Sequence, residues 1–471
     1  MCVHKRLYMK RKSKMISKFF NPQNIAVIGA TSDPKKFGNA VTMNLLNIHD
    51  LNCKIFLVTH GSKTICDIPT YKSVLDISEE IDIAIILVPG KYVENVVEEC
   101  IHKEVKGIII VSAGFGEINE KGKELEKQIA LKCKKAGVRV MGPNCVGIIN
   151  TDINLNASFI QMPPKGHISM ISQSGSFGCA CFYEMEFHNL GISKFVNLGN
   201  KIDVSFDDIL PFLMEDENTK IITIYMEEIL EGRKFLDIIE KVNKVKPIVI
   251  LKGGKTKKGR EAASSHTGSI ATNYKLLKTA VKQSGVLLCE NISEFIIALK
   301  SFSFLPIPKG SKLGVLTNSG GTSVLFSDNA EKLGLEFATF SEALKKRISP
   351  YLYSLVKLVN PLDMIAGAKE TQYYEITKNF LEDEGIDVVV GCCVIPPFLG
   401  MKSVEHYRGM IRAWNETGRK KAIIPLMLFS QSFEDLIKYA DKNNSPIFFT
   451  PYEAAYSVKV LMERSVYKNR N

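Results

Sequence analysis

Asn24-Ile-Ala-Val-Ile-Gly29-Ala-Thr-Ser-Asp-Pro-Lys-Lys-Phe-Gly38 decides the fold. Ile25 to Ile28 is an unbroken apolar run, which reads as a strand buried on both faces, as in parallel sheets. A glycine turn follows at once, and Gly38 leads into a helical pattern. The spacing is not GxGxxG, so the turn carries no dinucleotide fingerprint. A glycine turn at a helix start still gathers backbone N–H groups at the positive end of a helix dipole, where anions bind. A plain strand-to-helix turn is the other reading, and the place after the first strand favours a nucleotide or pyrophosphate.

The same grammar of apolar strand, glycine turn and amphipathic helix runs outward from this stretch. Further strands read near Lys54–Val58, Ile83–Val88, Gly107–Val111 and Val138–Met141. A second series begins at His167-Ile-Ser-Met-Ile-Ser and includes Lys194–Asn197, Lys220–Tyr225 and Pro247–Leu251. A third begins at Lys312-Leu-Gly-Val-Leu-Thr and continues through Val388–Val394, Ala422–Met427 and Pro446–Phe449. Both later series follow a Pro-Lys-Gly punctuation, at 164–166 and 308–310. The expected class is α/β, with open parallel sheets covered by helices on both faces. The expected division is a basic tail over 1–18, then domains over 19–150, 151–307 and 308–471.

Composition sets limits. The chain has 471 residues and a formal net charge of +11, and residues 1 to 18 carry seven Lys or Arg and no acid. No recognition motif accompanies that basic stretch, so attraction to small anions is a better reading than nucleic-acid binding. No apolar run reaches the ~18 residues that span a bilayer, and the N-terminus lacks the apolar core of a secretory signal. The eleven cysteines follow no framework spacing and include no CxxC pair, which points to reduced thiols, no metal site and a cytoplasmic protein.

In doubly wound sheets ligands bind at the carboxyl ends of strands, so chemistry is sought in the turns. Ser112-Ala113-Gly-Phe-Gly116 and Gly142-Pro-Asn144-Cys-Val-Gly147 end two strands of the first series. Each reads either as a ligand edge or as a structural turn. Ser172-Gln173-Ser174-Gly175-Ser-Phe-Gly178 offers hydroxyls, an amide and backbone N–H groups at a helix start, a phosphate cradle or a simple N-cap. Thr317-Asn-Ser-Gly-Gly-Thr-Ser323 has the same two readings. His266 stands in Arg260-Glu-Ala-Ala-Ser-Ser-His-Thr-Gly-Ser-Ile-Ala271, which reads as a loop of small and hydroxylated residues. A neutral imidazole there is either a nucleophile that can carry a phosphoryl group or an ordinary hydrogen-bonding histidine. Glu227 and Glu228 follow a strand of the second series, and either could orient the imidazole and steady its charged form.

Taken together these motifs resemble the alpha subunit of NDP-forming acyl-CoA synthetases, the ADP-forming acetate–CoA ligases related to succinyl-CoA synthetase. The resemblance runs from about Phe19 to Tyr456. It is carried by Ile-Ala-Val-Ile-Gly-Ala (25–30), Val-Ser-Ala-Gly-Phe (111–115), Gly-Pro-Asn-Cys-Val-Gly-Ile-Ile-Asn-Thr (142–151) and Leu-Asn-Ala-Ser-Phe (155–159). Ser-Gln-Ser-Gly (172–175), Leu-Gly-Asn-Lys-Ile-Asp-Val (198–204), Ser-Ser-His-Thr-Gly (264–268) and Asn-Pro-Leu-Asp-Met-Ile (360–365) complete it.

The resemblance implies a CoA-binding Rossmann domain followed by two flavodoxin-like domains. It implies His266 as the phosphorylated residue, Glu227 as its partner, and Ser172, Gln173, Ser174 and Gly175 as a phosphate cradle. Gly29, Ala30, Thr31, Gly38, Ser112, Ala113 and Asn144 fall where CoA or its acyl group would lie. It further implies a separate ATP-grasp beta subunit holding ADP or ATP with Mg2+, in an α2β2 assembly. Two departures stand out. Leu57-Val-Thr-His-Gly61 replaces the usual Val-Asn-Pro-Lys, leaving Lys35, Lys36 or Lys63 to supply a cation to CoA. Asn318-Ser-Gly-Gly-Thr-Ser replaces Asn-Ala-Gly-Gly-Pro-Gly. An inactive CoA- or acyl-CoA-binding regulatory subunit is the competing expectation. An NAD-dependent oxidoreductase is disfavoured, because GxGxxG and an acid ending the second strand are both missing.

Overall fold

The computed structural model describes residues 15–470 except 48–50, 230, 268–273, 395–401 and 429–432, and gives 264–267 and 403 as backbone alone. Its contacts form two compact units that divide between Glu290 and Asn291.

The first unit holds two seven-stranded sheets. In the first sheet the strands are β1 (Asn24–Ile28), β2 (Lys54–Val58), β3 (Thr64–Ile65), β4 (Ile68–Tyr71), β5 (Ile83–Ile86), β6 (Gly107–Ile110) and β7 (Arg139–Met141). Their order is β3-β4-β2-β1-β5-β6-β7, parallel except for the β3–β4 hairpin. From β4 onward this is the Rossmann order 3-2-1-4-5-6, whose ligand crevice opens where β1 and β5 part. Both faces of β1 are buried. Ile25 and Val27 join one apolar cluster, Ala26 and Ile28 another.

The second sheet contains β8 (Gly147–Asn150), β9 (Leu155–Ser158), β10 (Lys165–Ser172), β11 (Ile192–Asn197), β12 (Ile221–Met226), β13 (Ile248–Lys252) and β14 (Leu287–Cys289). Its order is β14-β13-β12-β10-β11-β8-β9. The five parallel strands β10–β14 follow the flavodoxin order 2-1-3-4-5. The antiparallel hairpin β8–β9 is added at the β11 edge. One apolar cluster runs through both sheets, from Ile25 and Phe20 to Phe212 and Ile224, and the rings of Phe20 and Phe212 stack at 4.9 Å.

The second unit is built on β15 (Lys312–Thr317), β16 (Glu336–Phe337), β17 (Leu362–Asp363), β18 (Val388–Cys393) and β19 (Ala422–Met427). The order β16-β15-β18-β19, with Phe448 bridged to Leu426, repeats the 2-1-3-4-5 pattern with a vestigial last strand. The α/β class and the Rossmann-then-flavodoxin sequence are as expected. No described helix is long and apolar enough to cross a membrane.

Three segments make contacts across the expected boundaries. Residues 15–20 are helical, with Ile16, Phe19 and Phe20 buried and Lys18 paired to Asp82 at 2.9 Å, so the end of the basic tail packs into the first sheet. Strand β8 precedes residue 151 yet pairs with β11 in the second sheet. The helix Ile292–Phe304 falls on the second unit's side of the division. There it joins the helix Pro451–Arg470 through Ser301 and Ser457 at 2.7 Å, and its Lys300 Nζ donates to the Ile447 carbonyl at 2.6 Å.

Candidate functional site

A cavity of about 830 Å³ opens in the first unit, where the carboxyl ends of β1, β5 and β6 meet the turn after β10. The turn after β1 is locked by its own polar groups. Thr31 Oγ1 accepts from Asp33 N at 3.2 Å, and Asn39 Nδ2 donates to the Thr31 carbonyl at 3.1 Å. Gly29 has φ +97°, a left-handed conformation that glycine adopts at little cost. Gly38 lets its helix touch the first strand, since a Cβ there would overlap the Gly29 carbonyl oxygen.

The middle wall is formed by the loops after β6 and β7. Ser112 Oγ donates to the Val88 carbonyl at 2.5 Å, and Asn144 N donates to the Ser112 carbonyl at 2.9 Å. Gly114 N and Phe115 N donate to the Glu117 carboxylate, and Gly116 N donates to Glu126. Asn200 Nδ2 bridges both acids, at 2.7 Å to Glu117 and 2.6 Å to Glu126. Burial pushes both carboxyls up. It prevails at Glu126, whereas the donors from Gly114, Asn200 and Phe115 hold Glu117 below its ordinary value.

The far wall belongs to the second sheet. Ser174 is the N-cap of the helix Gly175–Phe187, accepting from Phe177 N at 3.3 Å, so capping and lining the cavity are one arrangement. Gln173 Oε1 accepts from the amides of Glu227, at 2.6 Å, and Glu228, at 3.1 Å, tying the turn after β10 to the turn after β12. Glu227 lines the cavity and accepts from Tyr225 Oη at 3.3 Å. Glu228 instead pairs with the buried Lys201 at 3.2 Å. Burial lowers the Lys201 ammonium against the pull of Glu228.

Every CoA-side residue read from the sequence lines this cavity: Gly29, Ala30, Thr31, Gly38, Ser112, Ala113 and Asn144. Gln173, Ser174 and Gly175 line it too. Ser172 stands behind them, fully buried, with its hydroxyl donated to the Ser174 carbonyl at 2.6 Å. Lys35 and Lys36 reach the cavity, as do Thr59 and Gly61 from the divergent segment, whereas Lys63 is not among the residues lining it. His266 falls in the last turn of a helix, Lys257–Thr267, where the sequence suggested a loop, and its side chain lies outside the described residues. Thr256 stands just before the helix and its Oγ1 accepts from Gly259 N at 3.1 Å, while Glu261, Ala262 and Ala263 sustain it.

Sequence reasoning passed over Asn197 and Asn200. Asn197 accepts from Val146 N at 2.8 Å and donates to the Ser172 carbonyl at 2.9 Å, fastening the two walls. Both lie at or within the strand-end motif Leu198–Val204, which was the available signal. Phe37 and Phe159 also meet at the cavity, their rings 4.4 Å apart.

A Rossmann crevice facing the first turn of a flavodoxin-type sheet defines a CoA-ligase scaffold, and two families match accordingly. The CoA binding domain family matches residues 23–151, and the succinyl-CoA ligase-like flavodoxin domain family matches residues 165–302. The alpha subunit of acetate–CoA ligase (ADP-forming) II from Pyrococcus furiosus is 40% identical over 451 residues, covering 96% of this chain and 98% of the relative. Acetate–CoA ligase (ADP-forming) I of Archaeoglobus fulgidus is 35% identical over 95% of this chain, which spans 63% of that longer relative. Among solved structures, acetyl-coenzyme A synthetase 1 of Ca. Korarchaeum cryptofilum, in complex with phosphate and ADP, superposes with a TM-score of 0.91. It is 30% identical, with 97% of this chain and 98% of that one covered. The chain belongs to the ADP-forming acetate–CoA ligase alpha-subunit family.

Proposed function

We propose that the chain is the alpha subunit of an ADP-forming acid–CoA ligase, interconverting acyl-CoA, phosphate and ADP with a carboxylic acid, CoA and ATP. One observation carries this reading: the turn after β1, the Ser174–Gly175 cradle and the Glu227 carboxylate line a single cavity. CoA lies along Gly29, Ala30, Thr31, Gly38, Ser112, Ala113 and Asn144, with Lys35 and Lys36 offsetting its phosphates. Inorganic phosphate sits at the Ser174–Gly175 helix start, where N–H groups and the dipole favour an anion.

A phosphate oxygen attacks the thioester carbonyl, the C–S bond breaks, and CoA leaves with the proton that phosphate gives up. The acyl phosphate remains at the cradle. His266 attacks its phosphorus, releasing the carboxylate, and Glu227 steadies the phosphorylated imidazole. A terminal phosphate oxygen of ADP then takes the group and the N–P bond breaks. Positioning and charge neutralisation supply most of the rate.

ADP and Mg2+ belong to a partner, read as an ATP-grasp beta subunit in an α2β2 assembly. The extra length of the Archaeoglobus fulgidus relative supports this division, because a third of that enzyme has no counterpart here. The nucleotide chemistry and the free thiols of the ten described cysteines fit the cytoplasm. Glu227→Gln tests the assignment in the co-purified complex given acetyl-CoA and labelled phosphate. Phosphohistidine yield falls while CoA affinity holds. Equal labelling of variant and parent sinks the role of Glu227 and moves it to Glu228. CoA binding with no labelling from any acyl-CoA supports the regulatory-subunit reading instead.

A further inference from the structure

Beside Glu227 lies a buried cation that no step above uses. Lys252 closes β13 and is 2% exposed. In the parallel ladder it stands opposite Met226, the residue from which Glu227 and Glu228 depart. Its Nζ donates to the Glu227 carbonyl at 2.6 Å and to the Gly253 carbonyl. Gly253 N in turn donates to the Met226 carbonyl at 2.9 Å, so the two strand ends are closed on each other. A buried ammonium costs free energy that an apolar side chain of the same length would not, so its presence calls for a role. The two glutamates differ here. Glu228 has Lys201, while Glu227 makes no ion pair among the described residues and faces the cavity.

We propose that Lys252 is a positioning residue for Glu227, fixing the backbone from which its carboxylate reaches the cavity and supplying the buried positive charge beside an anionic phosphoryl group. This rests on the reading of Glu227 as the partner of phosphorylated His266.

Burial lowers the Lys252 ammonium to about 8, against the opposing pull of Glu227 and Glu228. Arg260, from the helix that carries His266, and Lys255, from the turn before it, lower it further. Lys201 is paired with Glu228. The charge is therefore present below pH 8 and lost as pH rises through it. Two consequences have opposite signs. Phosphohistidine formation falls above pH 8. The stability linked to this group rises between about 8 and 10.5, because the unfolded chain keeps a proton that the folded chain has released.

The test follows phosphohistidine formation and CoA affinity in the co-purified complex, on both sides of pH 8. It compares native chain, Lys252→Met, Lys252→Arg, E227Q and the E227Q/K252M pair. K252M slows phosphorylation at least about tenfold at pH 7, the scale of a misplaced catalytic contact, with CoA affinity unchanged. It also removes the limb near pH 8, and K252R shifts that limb upward. The double variant is no slower than the slower single. Native-rate labelling by K252M, or a limb near pH 8 that K252M and K252R both retain, overturns the proposal. Should K252M fail to fold, the K252R limb decides alone, moved or unmoved. A native complex that never labels overturns the underlying reading of the site, which is a different result from a labelled native complex with an indifferent Lys252.

Discussion

The chain builds the same strand–turn–helix twice, after β10 and after β15, on sheets of one order, and the two turns end differently. After β10, Gln173 reaches across to the amides of Glu227 and Glu228, and Ser174 and Gly175 stay open to the cavity. After β15, the amide side chain reaches instead to the residue that follows β18. Asn318 Nδ2 donates to the Val394 carbonyl at 2.6 Å, its Oδ1 accepts from Val394 N at 2.9 Å, and its side chain is buried. Thr317 Oγ1 donates to the Ser319 carbonyl at 3.1 Å. Gly320 and Gly321 are exposed at the second helix start, so the turns differ in what the amide side chain holds rather than in how open their N–H groups are. In one turn the amide side chain holds the backbone amides of Glu227 and Glu228. In the other it ties down a strand end.

The largest effect expected from that contrast separates two glycines. A Cβ on Gly175 would overlap Val146 Cγ2, whereas one on Gly321 meets nothing within 4 Å. Gly175→Ala should cut phosphohistidine formation by about tenfold or more through a displaced cradle. Gly321→Ala should leave it alone and raise stability by ~0.5–1 kcal/mol, since alanine loses less entropy in a helix. Labelling and thermal melts check both, and equal responses would erase the distinction between the turns.

The amides come next. Gln173→Ala should reduce labelling, because two amides that hold Glu227 and Glu228 lose their acceptor. Asn318→Ala should leave labelling unchanged and lower stability by about 1–3 kcal/mol, as the Val394 groups lose their partners. A drop in labelling with Asn318→Ala would mean the second turn has a part in turnover. The smallest effect concerns charge. Lys35→Ala with Lys36→Ala should weaken CoA binding severalfold and flatten its salt dependence, because exposed cations act through a screened field. Calorimetry at two ionic strengths reads this, and an unchanged salt slope would return Lys63 to consideration.

The strands and turns were legible because runs such as Ile25–Ile28 and Ile83–Ile86 are buried on both faces, and Gly29 and Gly90 stand in the turns that follow them. The seven CoA-side residues reached one cavity for the same reason, since the Rossmann order gathers those turns at one sheet edge. Other features depended on contacts distant in sequence. Glu227 and Glu228 are indistinguishable until Lys201 takes one of them. Ser172 carries the composition of a phosphate cradle but sits inside the strand end, where its hydroxyl serves Ser174. The segment around His266 looks like a loop because its serines and glycines outweigh the Thr256 cap and the short Glu-Ala-Ala run that start a helix. Strand β8 follows the glycine turn of one sheet and is captured by the next through β11, a pairing no local pattern announces.

The most direct measurement is phosphohistidine formation by the native chain and by His266→Asn, each with its co-purified partner, acetyl-CoA and labelled phosphate. Acid-labile, alkali-stable label on the native chain alone is the predicted result. Equal label on both chains would contradict His266 as the carrier, and no label on either with any acyl-CoA, CoA still bound, would contradict turnover at this site.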